Sequence, residues 1–344
     1  MHAHHTGDDR PRVLLAMGPG VAERLLTRRH RERLTAIART DPTLIAHDLT
    51  DPSPAVVTAL ASADALLTCW GAPPLTASAL VGAPRLRAVV HAAGSVKHHI
   101  TDACWERGIT VSSAAGVNAL PVAEYTLAAI LFAGKGVLAS ARRYARSRST
   151  GDQLDAFADV GNYGRTVGIV GASRIGRRVI ELLRPFDLRV LLYDPYCTAD
   201  DAEALGVVRV DLDELCRASD IVSVHAPEVP QTRRMIDGRR LALMPDGATL
   251  INTSRGSLVD ERALIDELSV GRLHAVLDVT ESEPPPADSP LYDLPNVLLT
   301  PHLAGSLGNE LHRMADFALD ELERLGRGLP FAGSVPIGTL DHSA

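Results

Sequence analysis

Three segments of the chain carry side chains suited to handling a proton beside an anion. INTSRGSLVD holds Arg255, LDVTESEPPP holds Asp278 and Glu283, and LLTPHLAGS holds His302. Arginine offers a rigid planar fork of donors that matches a carboxylate or a carbonyl oxygen. Histidine exchanges a proton near neutral pH, and a glutamate on its second ring nitrogen orients the imidazole. Singly, each has a plainer reading: a surface cation, a solvated carboxylate in a proline-rich loop, a packed histidine. Together they form one chemical set, because each follows a strand-like run and strand ends surround the ligand crevice of an open α/β sheet.

A second constellation lies upstream. Thr166 to Gly176, TVGIVGASRIG, followed by RRVIELLRPF, places a strand, a turn of small residues and a helix in immediate succession. Backbone N–H groups at such a helix start can hold a pyrophosphate. Gly171 permits the turn and Gly176 permits close packing of helix on strand, while Ser173 occupies the middle position usually held by glycine. Asp194 ends the next strand, RVLLYD, eighteen residues after Gly176. There a carboxylate accepts from adenine-ribose hydroxyls and repels a 2′-phosphate, so NAD is favoured over NADP. The alternative is an ordinary βα turn with a surface aspartate.

These groups need a scaffold. From Arg12, strand-like runs (RVLLAM, ADALLTC, LRAVVHAA, ITVSSA) alternate with helical stretches, the pattern of a parallel α/β unit. Pro121 opens a long predicted helix, PVAEYTLAAILFAGKGVLASARRYA, ending near Arg142, Arg143, Arg146 and Arg148, which read as a solvated, dipole-compensating helix end. After a polar stretch over 147–164, the runs TVGIVG, RVLLYD, DIVSVHA, ATLINTS, LHAVLDV and NVLLT indicate a doubly wound parallel sheet. A last helix from Ser306 to about Leu325 is too little to fold alone and is expected to pack back on the N-terminal part.

With these motifs in place, the chain resembles the D-isomer-specific 2-hydroxyacid dehydrogenase family. VGIVGASRIG, HAPEVPQTRRMI, LALMPDGATLINTSRGSLVDERAL, LDVTESEP and TPHLAG occur in the family's order and nearly its spacing, from about Arg87 to Gly305. The resemblance implies that Arg255, Glu283 and His302 are the catalytic set of an NAD-dependent enzyme interconverting a small D-2-hydroxy acid and its 2-oxo acid. His302 would be the acid/base and Arg255 would also bind substrate. It implies cofactor contacts at Gly171, Ser173, Arg174, Ile175, Gly176, Asp194, His225, Thr253, Asp278 and Gly305, with Asp278 meeting the nicotinamide carboxamide. The family's substrate-carboxylate loop, GxGxDxI, corresponds to Gly94, Ser95, Val96, Lys97, His98, His99 and Ile100, where only the first Gly and the Ile agree. Gly94, Ser95 and Val96 are the expected substrate contacts, through backbone donors. VNALPVAEYTLAAIL resembles the family's NxxxVAExxL stretch and makes Glu124 structural. The implied fold is two parallel α/β domains: a doubly wound Rossmann domain, 120–305, inserted into a flavodoxin-like substrate domain, 1–119 and 306–344, with the chemistry in the cleft between them. The family also suggests a homodimer. Relatives that act as NAD-responsive corepressors supply a second reading, a catalytically weak NAD-sensing binding protein, against which the retained triad argues. Enzymes for formate or phosphite share the fold and much of the site, and no pocket residue selects that reading.

Composition agrees with a folded, enzyme-sized chain. Its 344 residues suggest two domains, and 46% hydrophobic with 22% charged residues is ordinary for globular proteins. A net charge of −7 gives no general attraction to nucleic acid or anionic lipid. The start lacks the apolar stretch of a secretory signal, and no membrane span is expected, so the chain is read as cytoplasmic. Cys69, Cys104, Cys197 and Cys216 are far apart, which fits reduced thiols better than a zinc site or a disulfide framework. No metal is expected: His91, His98 and His99 read as loop or partly buried histidines, and His2, His4 and His5 as part of a disordered polar terminus.

Overall fold

The structure is a computed structural model that describes residues 10–149 and 160–338. His2, His4 and His5 lie outside the described residues, as does much of the polar stretch 147–164. Contacts divide the chain into two units, one running to Asn118 and resuming at Ser306, the other Ala119–Gly305.

The first unit holds five strands: β1 Val13–Ala16, β2 Ile45–Ala46, β3 Ala65–Thr68, β4 Ala88–His91 and β5 Thr110–Ser113. They pair in parallel in the order β2-β1-β3-β4-β5, the flavodoxin-like order. Strands β1, β3 and β4 are buried along their whole length, which is why they read as continuous rather than alternating apolar runs. The helix Leu311–Gly326 returns to this unit. Its Met314, Leu319 and Leu322 join Leu15, Leu67 and Val90 in one core, and Arg33 binds its Asp320 and Glu323. Glu321 on the same helix is buried, its carboxylate accepting from Ser112 Oγ and from the Ala332 and Gly333 N–H groups.

The second unit holds β6 Thr166–Val170, β7 Arg189–Tyr193, β8 Val208–Arg209, β9 Ile221–Val224, β10 Thr249–Asn252, β11 His274–Leu277 and β12 Val297–Leu299. The order β12-β11-β10-β9-β6-β7-β8 reverses direction between β6 and β9, the doubly wound arrangement with its switch point there. Its register aligns Tyr193, Val170, Val224, Asn252, Leu277 and Leu299 in a single row across six strands. Helices start on side-chain caps, among them Ser173, Thr198, Asp211, Asp237 and Asp260.

Three features differ from the sequence reading. The long helix starts at Ala115, not Pro121, and runs to Gly134 with Pro121 inside it. Pro121 lies within the second turn and forgoes one intrahelical bond. A second helix, Val137–Ser147, begins after Gly136, which takes a left-handed φ of 56°. Arg142 is not merely solvated: its guanidinium donates to the Leu294 and Val297 carbonyls at 2.7 and 3.2 Å. Finally, Ala115–Gly134 is long and apolar enough to cross a membrane, with a mean hydropathy of 1.4. Some 39% of its most apolar window is buried, and its Tyr125 and Thr126 hydroxyls bond to Thr300 and Thr253 beyond the ends of β12 and β10.

Burial lowers the ring pKa of His91, His99, His225 and His274, taking His99 to about 4 and His225 to about 3. Their folded values lie below the unfolded value of about 6.5, so the unfolded chain binds more protons in between. Stability is therefore full above about pH 6.5 and falls as pH drops toward about 4, by up to about 1.4 kcal/mol per pH unit for each histidine. The melting temperature should decline between about pH 7 and 5, before carboxylates titrate; a constant value across that window contradicts this account.

Candidate active site

The register row explains how residues scattered along the chain meet at one sheet edge. One residue beyond it stand Asp194, Gly171, His225, Thr253, Asp278 and Thr300; three beyond it stand Arg255 and His302. All these positions follow the carboxyl ends of parallel strands.

Gly171 takes a φ of 102° and lies so close to β9 that a Cβ would come within 2.8 Å of Ala226 N and 2.9 Å of the His225 carbonyl. A Cβ on Gly176 would overlap the Gly171 carbonyl oxygen. Only glycine allows the helix Arg174–Leu183 to start this near the strand. Ser173 caps that helix, its Oγ accepting from Gly176 N at 3.2 Å. Its hydroxyl hydrogen remains able to donate, and the Arg174 and Ile175 N–H groups are at the open first turn. Arg174 is exposed and Ile175 half-buried. Asp194 closes the turn from the other side, accepting from Ala172 N at 2.7 Å and Tyr196 N at 2.8 Å. His225 is buried with Nε2 on Ser223 Oγ at 2.9 Å, and its Nδ1 has no partner among the described residues. An orphaned polar atom next to a glycine cradle fits a dinucleotide laid across the switch point.

Asp278 is buried and binds the loop beyond β12 through three side-chain bonds. Oδ1 accepts from Thr300 Oγ1 at 2.6 Å and from Leu303 N at 2.8 Å, and Oδ2 accepts from Ala304 N at 2.8 Å. Its carbonyl accepts from His302 N at 2.9 Å. These four bonds shape the loop in which His302 adopts a left-handed φ of 51°, uncommon for a residue with a side chain. The His302 ring then donates Nδ1–H to Glu283 Oε2 at 2.7 Å, leaving Nε2 as the free ring nitrogen. Side-chain exposures of 50% and 40% make this pair a weak contributor to stability, so its consequence is orientation.

Arg255 follows β10 and is half-buried, with Nη1 on the Ser254 carbonyl at 2.7 Å. Asn252 folds its turn, donating to the Arg255 carbonyl and accepting from Ser254 N. Gly256 lies against the Thr280 backbone, so closely that a Cβ would overlap it. The Arg255 loop thus packs on the Asp278–Glu283 loop, whose Glu283 reaches His302. Thr253 is buried and bonded to Thr126, and Gly305 is half-buried at the end of the His302 loop.

In the first unit, the expected substrate loop also leaves a strand end. Ser113 Oγ donates to the Gly94 carbonyl at 2.5 Å and lies 3.2 Å from the Ala93 carbonyl. Because C=O and N–H point oppositely across a trans peptide, the Gly94 and Ser95 N–H groups face away from Ser113. Val96 is buried, and Lys97 is half-buried rather than freely solvated. His91 and His99 are fully buried, not partly so, and only His98 is exposed. No group of three or more candidate metal ligands occurs among the described residues. Glu124 is exposed on its helix. The four cysteines are buried and unpaired, burial pushing the Cys69 thiol to about 12 and Cys216 to about 11.

Thr300 and Tyr125 escaped the sequence reading. Tyr125 OH donates to Thr300 Oγ1 at 2.9 Å, and Thr300 in turn donates to Asp278. The only available signal was Thr300's place one residue past its strand.

Residues 127–304 match the family model for the NAD binding domain of D-isomer specific 2-hydroxyacid dehydrogenases. A D-3-phosphoglycerate dehydrogenase of Methanocaldococcus jannaschii is 34% identical over 74% of this chain and 48% of its own length; the chain spans about half of such relatives. A glyoxylate reductase of Korarchaeum cryptofilum is 37% identical over 74% of this chain and 77% of its own. Among solved structures, D-mandelate dehydrogenase of Rhodotorula graminis superposes with a TM-score of 0.78 at 26% identity, covering 95% of this chain and 98% of that one.

Gly176→Ala forces a methyl group into the Gly171 carbonyl. Overpacking of about 1–3 kcal/mol at the turn should weaken NADH binding roughly tenfold or more. Titration by NADH fluorescence checks this, and unchanged affinity would contradict the close-approach account.

Proposed function

Because the chain belongs to the D-isomer-specific 2-hydroxyacid dehydrogenase family, we propose that it reduces a small 2-oxo acid to the D-2-hydroxy acid, and catalyses the reverse, with Arg255, Glu283 and His302 as the catalytic set. The observation that carries this reading is the 2.7 Å bond from His302 Nδ1 to Glu283. A histidine anchored through one nitrogen presents the other as a proton carrier of fixed direction.

NAD(H), when bound, supplies or accepts the hydride at C2. His302 Nε2 gives a proton to the substrate's carbonyl oxygen in reduction and takes it back in oxidation. Glu283 holds the ring and balances its charge when it is protonated. Arg255 binds the substrate carboxylate or carbonyl oxygen, fixing the face presented for reaction. In the other unit, the Gly94, Ser95 and Val96 N–H groups are donors for the carboxylate. On the nucleotide side, Gly171, Ser173, Arg174, Ile175 and Gly176 hold the pyrophosphate, and Asp194 takes the adenine ribose. His225, Thr253, Asp278 and Gly305 line the remainder. Asp278 keeps one acceptor direction for the nicotinamide carboxamide after its three side-chain bonds. The same family reading carries the homodimer.

The relatives' names point to glyoxylate and to the oxo acids corresponding to phosphoglycerate and mandelate as first substrates to try. With each, oxidation of NADH is followed by its absorbance for the wild type and His302→Ala. The expected result is NADH-linked turnover that falls about 10²–10⁴-fold in the variant, the usual range for a lost acid/base, while NADH still binds. Equal turnover in the two proteins would rule out His302 as the proton carrier.

A further inference from the structure

The first sheet also ends on a single row, Ala46, Ala16, Thr68, His91 and Ser113, and its last three members are polar. Ser113 holds the Gly94 carbonyl, as described. Thr68 and His91 do something the proposed reaction does not use. Thr68 Oγ1 lies 2.9 Å from His91 Nδ1 and 3.4 Å from His99 Nε2, with all three side chains buried. The two imidazoles are 4.4 Å apart at their centroids, tilted by 38°.

A hydroxyl has one hydrogen and two lone pairs, so Thr68 cannot donate to both rings; at least one must donate to it. Burial keeps both rings neutral, with repulsion from His99 adding to it at His91 and from His98 at His99. His99 is tied to the far end of the same loop: its N–H bonds the Val96 carbonyl at 3.2 Å, and its carbonyl accepts from Leu75 N at 2.8 Å. The cluster therefore ties His91, where the loop leaves β4, to His99 at its far end, on either side of the Gly94–Val96 segment.

We propose that Thr68, His91 and His99 are positioning residues that hold the two ends of the loop carrying Gly94–Val96 together, and so govern affinity for the acid without touching it. This rests on the reading of Gly94–Val96 as the substrate loop. It also accounts for a loop that lacks the family's second glycine. Val96 buries its side chain in the core of the first unit, and the hydrogen-bonded cluster supplies the orientation that a glycine backbone would otherwise be free to adopt.

Thr68→Val keeps the shape and removes the hydroxyl, while Thr68→Ser keeps the hydroxyl. In Thr68→Val, the KM for the 2-oxo acid should rise about tenfold, the effect of one lost oriented bond. Its kcat and NADH affinity should hold, and Thr68→Ser should restore KM. Amide hydrogen exchange of the 92–100 segment, measured without substrate, should quicken in Thr68→Val and not in Thr68→Ser. Unchanged exchange in folded Thr68→Val overturns the positioning role, whatever the kinetics. Faster exchange with an unchanged KM upholds the cluster's hold on the loop but removes its link to substrate, and with it the reading of Gly94–Val96. Should Thr68→Val fail to fold, His91→Gln serves instead, judged by the same exchange and KM measurements.

Discussion

Parallel register is the constraint on which the site depends. Six strands of the second sheet stop on one row, so a residue's offset from its strand end largely decides whether it reaches the ligand edge. Offsets of one place Asp194, Gly171, His225, Thr253 and Asp278 along that edge, and offsets of three place Arg255 and His302. A slip of one residue in any ladder would turn its side chains to the opposite face and move its loop along the edge. The continuous burial of β9 and β10 works against such slips by making any shift expose apolar surface.

Within that edge, Asp278 links structure to chemistry. A buried carboxylate is costly unless its oxygens are satisfied, and here one hydroxyl and two N–H groups of the His302 loop satisfy them. The loop is thereby held in a conformation that includes a left-handed histidine. The exposed His302–Glu283 pair needs this rigid support, because a surface ion pair is too weak to organise a loop alone. Polar satisfaction in the interior thus does the positioning for an exposed imidazole at the strand ends.

The first unit follows the same logic with neutral groups. Thr68, His91 and Ser113 end adjacent strands; Thr68 bonds His91 and reaches His99 of the loop that follows β4, Ser113 donates to its Gly94 carbonyl, and Cys69 adds a bond from Sγ to the Ala92 carbonyl at 3.2 Å. Both units therefore pair an apolar sheet interior, which fixes strand position, with polar strand ends, which fix loop shape. The family's dinucleotide turn departs from its usual form at Ser173, and the structure uses the departure: the serine caps the helix that a glycine there would leave uncapped.

Much of this was written locally in the chain. Buried parallel strands are apolar runs, the βα turn needs Gly171 and Gly176 wherever helix and strand touch, and Arg255, Glu283 and His302 each sit a short step past such a run. The two-residue strands β2 and β8 were invisible, being too short to show any period. Pro121 pointed to a helix start because local sterics favour it there, yet packing of the upstream turn carried the helix back to Ala115. The partners of Asp278, the Tyr125–Thr300 bond and the burial of His91 against His99 were likewise closed to sequence. They join residues many positions apart, and no pattern of period two or 3.6 records which loops the folded sheets bring together. Residue types and local spacing determined the chemical vocabulary and the strands that carry it; only tertiary packing decided which polar groups pair, because that depends on distances set by the whole sheet.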